Sequence, residues 1–170
     1  GLATPTAIMV GTGKGAQLGI LIKSAETLEL VSKADTIVLD KTGTITKGKP
    51  QVSDIVSIQM SDEQLLEYAG AIESASSHPL AKAIIEYNEN NGIISQEIQE
   101  FESLQGLGLK GLYQDKVLLS GNKRLMEENN IDLQSVIQQS RDFANVGKTP
   151  LYYAYDGKLI GMIVVSDVLK

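Results

Sequence analysis

Apolar positions along this chain switch between two periods, and the switches mark its elements. Residues 51–60, QVSDIVSIQM, are strand-like. Helical spacing follows: Leu65, Leu66, Ala69 and Ile72 share one face, Ser61 stands at the N-cap, and Asp62 and Glu63 fill the first turn. This predicts a helix to about Ser74. HPLAKAIIEYNENNG, residues 78–92, predicts a second, with Pro79 in its first turn and Gly92 just past its end. QEIQEFESL (96–104), LKGLYQ (109–114) and KVLLSG (116–121) read as three strands, whereas NKRLMEEN (122–129) and LQSVIQQSRDFAN (133–145) read as helices. PLYYAY and KLIGMIVV flank Asp156-Gly157, the strongest short hairpin signal in the chain. Residues 51–166 therefore predict an α+β unit whose six strands form a mainly antiparallel sheet with flanking helices.

The first fifty residues follow a different pattern. Ser24 to Lys33 reads as a short capped helix. Thr36 to Leu39 reads as a short buried strand that places Asp40 at its C-terminal end, where α/β sheets hold their chemistry. Gly43, Gly48 and Pro50 mark a loop and a domain boundary, so residues 34–50 are expected to open a separate α/β domain. The opening run GLATPTAIMV is about ten residues long, against roughly 20 for a bilayer span. It is expected to be ordinary loop and core or the end of a longer helix. An opening Gly instead of Met suggests a piece of a larger protein.

Composition removes several function classes. A net charge of −6 with no basic cluster argues against a nucleic-acid partner. With no Cys and one His, disulfides, thiolate metal sites and His-cluster sites are excluded, and the composition reads as cytosolic. Two stretches imitate a phosphate-binding P-loop. GTGKG lacks the Ser or Thr after Lys14, and Gly147-Lys148-Thr149 has Asp142 where the first glycine belongs. Both read as turn glycines. Met60, Met126, Tyr152, Tyr153 and Tyr155 are scattered or alternate along one strand, and read as core and strand surface.

Asp40 carries the sharper signal. A carboxylate at a strand end before a Gly-containing turn can cap the turn, or can attack phosphorus. Being a weak nucleophile, it then needs magnesium and cationic or backbone N–H stabilisation. Lys41 and the backbone of Thr42 to Thr44 are placed to supply part of that.

The string DKTGT, Asp40 to Thr44, resembles the phosphorylation motif of P-type ATPases, and DKTGTITKGKP extends the match. SSHPLAKAI, with Glu73 five residues before His78, resembles a nucleotide-domain motif of the heavy-metal-transporting branch. GLGLKG (Gly106 to Gly111) and Gly121-Asn122 resemble further motifs of that branch, and GLATPTA resembles its copper-type members more than its zinc/cadmium-type ones.

The resemblance covers essentially the whole chain. It implies a nucleotide-binding domain over 51–166, the first strand of a haloacid dehalogenase-like phosphorylation domain with a hinge over 34–50, the cytosolic end of a membrane helix over 1–33, and an outgoing hinge over 167–170. It implies ATP and Mg2+ as cofactors, with Glu73, His78, Gly106, Gly108, Gly121 and Asn122 around the nucleotide. Asp40 is the implied phosphoryl acceptor, assisted by Lys41, Thr42 and Thr44, with the Asp40 carboxylate and the Thr42 carbonyl on Mg2+. Soluble phosphatases of the superfamily carry an Asp at the position of Thr42, which protonates the leaving group and activates water. A threonine there implies a phosphoenzyme that persists.

The implied partners are ATP or ADP and the actuator, membrane and remaining phosphorylation domains of a pump. Cu+ is transported by the parent but not bound by these residues, and the chain is placed as a cytoplasmic domain of an integral membrane protein. On its own it is expected to bind nucleotide weakly without turning it over. A soluble phosphatase, a stand-alone nucleotide-binding module and a zinc pump are the alternatives.

Overall fold

The computed structural model describes residues 1–40, 44 and 46–169. The chain divides into two units, Gly1–Leu39 and Asp40–Lys170.

The first unit holds α1 (Ala3–Gln17) and α2 (Ala25–Val31). The GTGKG stretch lies inside α1, not in a turn as the sequence reading had it. Two of its glycines serve close approach: a Cβ at Gly11 would stand 3.0 Å from Leu28, and one at Gly15 2.9 Å from Ile22, whereas Gly13 faces open space. Ser24 caps α2 by accepting from the Thr27 amide. No helix among the described residues is long and apolar enough to cross a membrane. The expected strand at Thr36–Leu39 is not formed. No described segment pairs with it, and Ile37, Val38 and Leu39 are 79%, 92% and 60% exposed. An apolar run becomes a strand only when a neighbour takes up its backbone hydrogen bonds.

The second unit is built on one antiparallel sheet in the order β1-β6-β5-β4-β3-β2. Its strands are β1 (Thr46–Ser57), β2 (Gln99–Leu104), β3 (Gly108–Tyr113), β4 (Lys116–Gly121), β5 (Thr149–Tyr155) and β6 (Lys158–Leu169). Helices α3 (Asp62–Glu73) and α4 (Pro79–Asn90) follow β1, while α5 (Lys123–Glu128) and α6 (Ile137–Asn145) lie between β4 and β5. Adjacent residues of β5 feed opposite sides: Tyr153 joins the core of α3 and α4, Tyr152 that of α5 and α6. Ser61 and Gln64 form a reciprocal capping box at the start of α3.

The strand read as starting at residue 51 begins at Thr46. It therefore runs through Lys47–Pro50, the segment read as a loop and hinge. Gly48, at φ +67°, sits within the register shift between Thr46 and Pro50. Asp167 on β6 then ties the two strands together: its carboxylate accepts from the Thr46 hydroxyl and, at 3.0 Å, from the Lys49 amide. Lys170, read with Asp167 as an outgoing hinge, lies outside the described residues.

Candidate functional site

A cavity of about 360 Å³ opens where the end of α3, the start of α4, the β2–β3 turn and the end of β4 come together. Glu73, His78, Gly106, Gly108, Gly121 and Asn122 all line it. The first and last of these are separated by 49 positions in the numbering, and three helices and three strands bring them to one place. Leu80, Leu104, Leu107, Leu109 and Leu151 supply an apolar wall.

Glu73 is the last residue of α3 and is only 4% exposed. Ser120 Oγ donates to its Oε1 at 2.5 Å, and the Tyr153 hydroxyl donates to the same oxygen at 2.9 Å. Burial pushes the carboxyl upward from its ordinary value of 4.5; the two hydroxyl donors and the charge of His78 oppose that shift.

His78 is the N-cap of α4, followed by Pro79 at the first helical position. Its Nδ1 accepts from the Leu80 amide at 3.2 Å, and its own amide donates to Ser76 Oγ. A neutral ring that accepts at Nδ1 carries its proton on Nε2. The ring itself is exposed and lines the cavity. Capping the helix thus uses one ring edge and leaves the flat face open.

The glycines divide by cause. Gly108 and Gly121 face each other in register on β3 and β4. A Cβ at Gly108 would stand 2.1 Å from the Ser120 carbonyl oxygen, and one at Gly121 2.4 Å from that of Leu107. Strand crossing alone requires both. Gly106 has φ +72° and open space around its Cβ direction, so its bare backbone is what leaves the turn accessible. Asn122 holds that turn. Its Nδ2 donates to the Gly106 carbonyl at 2.8 Å, its amide to the Leu107 carbonyl, and its Oδ1 accepts from the Leu125 amide.

Asp40 and Thr44 are exposed and do not line the cavity. Lys41 and Thr42 lie outside the described residues. Ser120 and Tyr153 were missed in the sequence. Ser120 offered one cue, standing directly before Gly121-Asn122; Tyr153 offered none, because an alternating strand position reads as core.

Residues 34–170 match the family of haloacid dehalogenase-like hydrolases. The chain belongs to that family. It is 45% identical, over all of its length, to a probable copper-transporting ATPase, PacS, of Synechococcus elongatus. The whole chain spans only 23% of that relative, and 19% of another copper-exporting relative. Among solved structures, 99% of the chain superposes on 27% of a zinc-transporting PIB-type ATPase, with a TM-score of 0.79 at 26% identity. It also covers 54% of the catalytic domain of the CPx-ATPase CopB-B, described for its conformational changes upon nucleotide binding, with a TM-score of 0.67 at 28% identity. These relatives and solved structures are P-type ATPases.

Proposed function

We propose that this chain is the ATP-binding portion of a P-type ATPase that exports copper, lying on the cytoplasmic side of the membrane. The convergence of Glu73, His78, Gly106, Gly108, Gly121 and Asn122 on one cavity carries the reading. The volume lies at the lower end of the range usual for small-molecule sites. The base stacks on His78, its exocyclic amine donates to Glu73, and the open turn at Gly106 admits the sugar and phosphates. Copper is favoured as the cargo because relatives matching the whole chain at 45% and 43% identity are copper-transporting and copper-exporting ATPases.

In the assembled pump an Asp40 oxygen attacks the γ-phosphorus, the bond to the bridging oxygen breaks, and ADP leaves with that oxygen. Magnesium would neutralise charge on the phosphates. Among the described residues no group of three or more His, Cys, Asp or Glu could hold a metal. Asp40 supplies one carboxylate, so the described residues do not by themselves make a Mg2+ site.

Titration calorimetry of the chain with ATP tests the nucleotide assignment. Saturable binding, weakened roughly tenfold in His78→Ala by loss of base stacking, is expected. Equal affinity in the two proteins would remove the cavity from the nucleotide site.

A further inference from the structure

Glu73 is held by two side chains for which the sequence motifs give no role. We propose that Ser120 and Tyr153 are positioning residues: a cross-strand clamp that fixes one oxygen of Glu73 and aims the other at an amino group on the bound base. This rests on the reading of the cavity as a nucleotide pocket.

Three observations carry it. Ser120 on β4 and Tyr153 on β5 are direct register partners, so their side chains rise from the same face of the sheet, side by side. Both hydroxyls reach the same atom, Oε1, and among the described residues no donor reaches Oε2. Glu73 and Ser120 both line the cavity, whereas Tyr153 is fully buried behind them. Two donors on one oxygen fix both the position and the plane of the carboxylate.

A buried carboxyl is costly, and among the described residues no cation is hydrogen-bonded to this one. The two hydroxyls donate to it and so favour its ionised form against the burial that opposes it. An ionised carboxylate only accepts, so its free oxygen pairs with a 6-amino purine and opposes the carbonyl of a 6-oxo purine. A site built to pair with a substrate N–H discriminates strongly, because a mismatch leaves a buried polar group unpaired. The other titratable groups around Glu73 are His78 at the start of α4, Tyr153 itself, and Lys82, Glu86 and Glu89 along the adjoining groove of α4.

The test compares ATP with inosine triphosphate, whose base carries a 6-oxo group and an N1–H where adenine carries a 6-amino group and a bare N1, across pH 5.5–8. The proteins are wild type, Ser120→Ala, Tyr153→Phe and the double variant. Wild type is expected to prefer ATP. Each single variant should bind ATP about threefold to tenfold more weakly, with inosine triphosphate affinity held within about twofold. The pH below which ATP binding falls should move upward in both, since each loses a donor that stabilises the carboxylate.

Equal loss of both nucleotides, or an unchanged ratio and unchanged acid limb in both variants, overturns the clamp. Should Tyr153→Phe fail to fold, Ser120→Ala, which removes a single oxygen, decides by the same ratio. Absence of any ATP binding by wild type overturns the nucleotide reading itself, and the clamp with it; ATP binding with unaltered variants overturns the clamp alone.

Discussion

His78 shows how one residue can cap a helix and border a cavity with different parts of its ring. Nδ1 caps α4 while the ring face borders the cavity. His78→Ala removes both and should cost about 1 kcal/mol of stability for the lost cap, as well as affinity. His78→Asn separates the roles, because Asn is a strong N-cap without a flat ring. Its urea midpoint should stay near wild type while ATP affinity falls about tenfold; a nucleotide affinity restored by Asn would mean that the cap, not the ring, matters.

Glu73 gives the opposite balance. Its carboxyl titrates above the ordinary 4.5 in the folded state, so folding takes up a proton between that value and the raised one. Stability from this group is complete below the unfolded value and is lost as pH rises through the folded one. Glu73→Gln removes the titration and keeps an acceptor for Ser120 and Tyr153. Urea unfolding at successive pH values should show the variant gaining on wild type as pH rises from about 4.5 towards neutrality. Its ATP affinity should drop about tenfold, since its amide donates where the base amine donates. Glu73 and His78 were legible because their spacing and residue types make a local motif. Ser120 and Tyr153 were not, because they reach Glu73 across 47 and 80 residues of sequence. A hydroxyl that completes a distant carboxylate leaves no local pattern.

At the scale of elements, amphipathic period and capping chemistry read well. The α3 and α4 helices start where Ser61 and His78-Pro79 place them. Strand limits read poorly, because pairing decides them. Lys47–Pro50 looks like a loop by composition, yet β6 offers it a partner and Asp167 fastens it there. Thr36–Leu39 looks like a strand by composition, yet nothing described pairs with it. The paired glycines of β3 and β4 illustrate the same dependence on neighbours. Gly108→Ala combines φ +149° with a 2.1 Å clash against a strand carbonyl. It should destabilise the protein by about 3 kcal/mol or more, read as a lowered denaturant midpoint. Gly106→Ala has only its φ of +72° to satisfy, in open space, and should cost about 1 kcal/mol. A larger loss at Gly106 than at Gly108 would contradict the assignment of their causes.

Across the whole molecule, the buried apolar side chains belong to the second unit, and the first contributes one buried residue, Gly15. Protection against amide hydrogen exchange should follow that division. The central strands β4, β5 and β6 carry fully buried Leu118, Tyr153 and Ile163 and should exchange only by global unfolding. Helices α1 and α2, with Met9, Val10, Leu30 and Val31 exposed, should exchange through local opening and far faster. ATP sharpens the test, because a ligand that binds only the folded state adds protection in proportion to its affinity. If the cavity holds the nucleotide, added protection concentrates in four separated segments. These are the end of α3, the start of α4, the turn around Gly106, and Gly121 with Asn122. The exchange of α1 and α2 should stay as it was. Protection confined to one of those segments, or appearing first in α1, would place the ligand elsewhere on the chain.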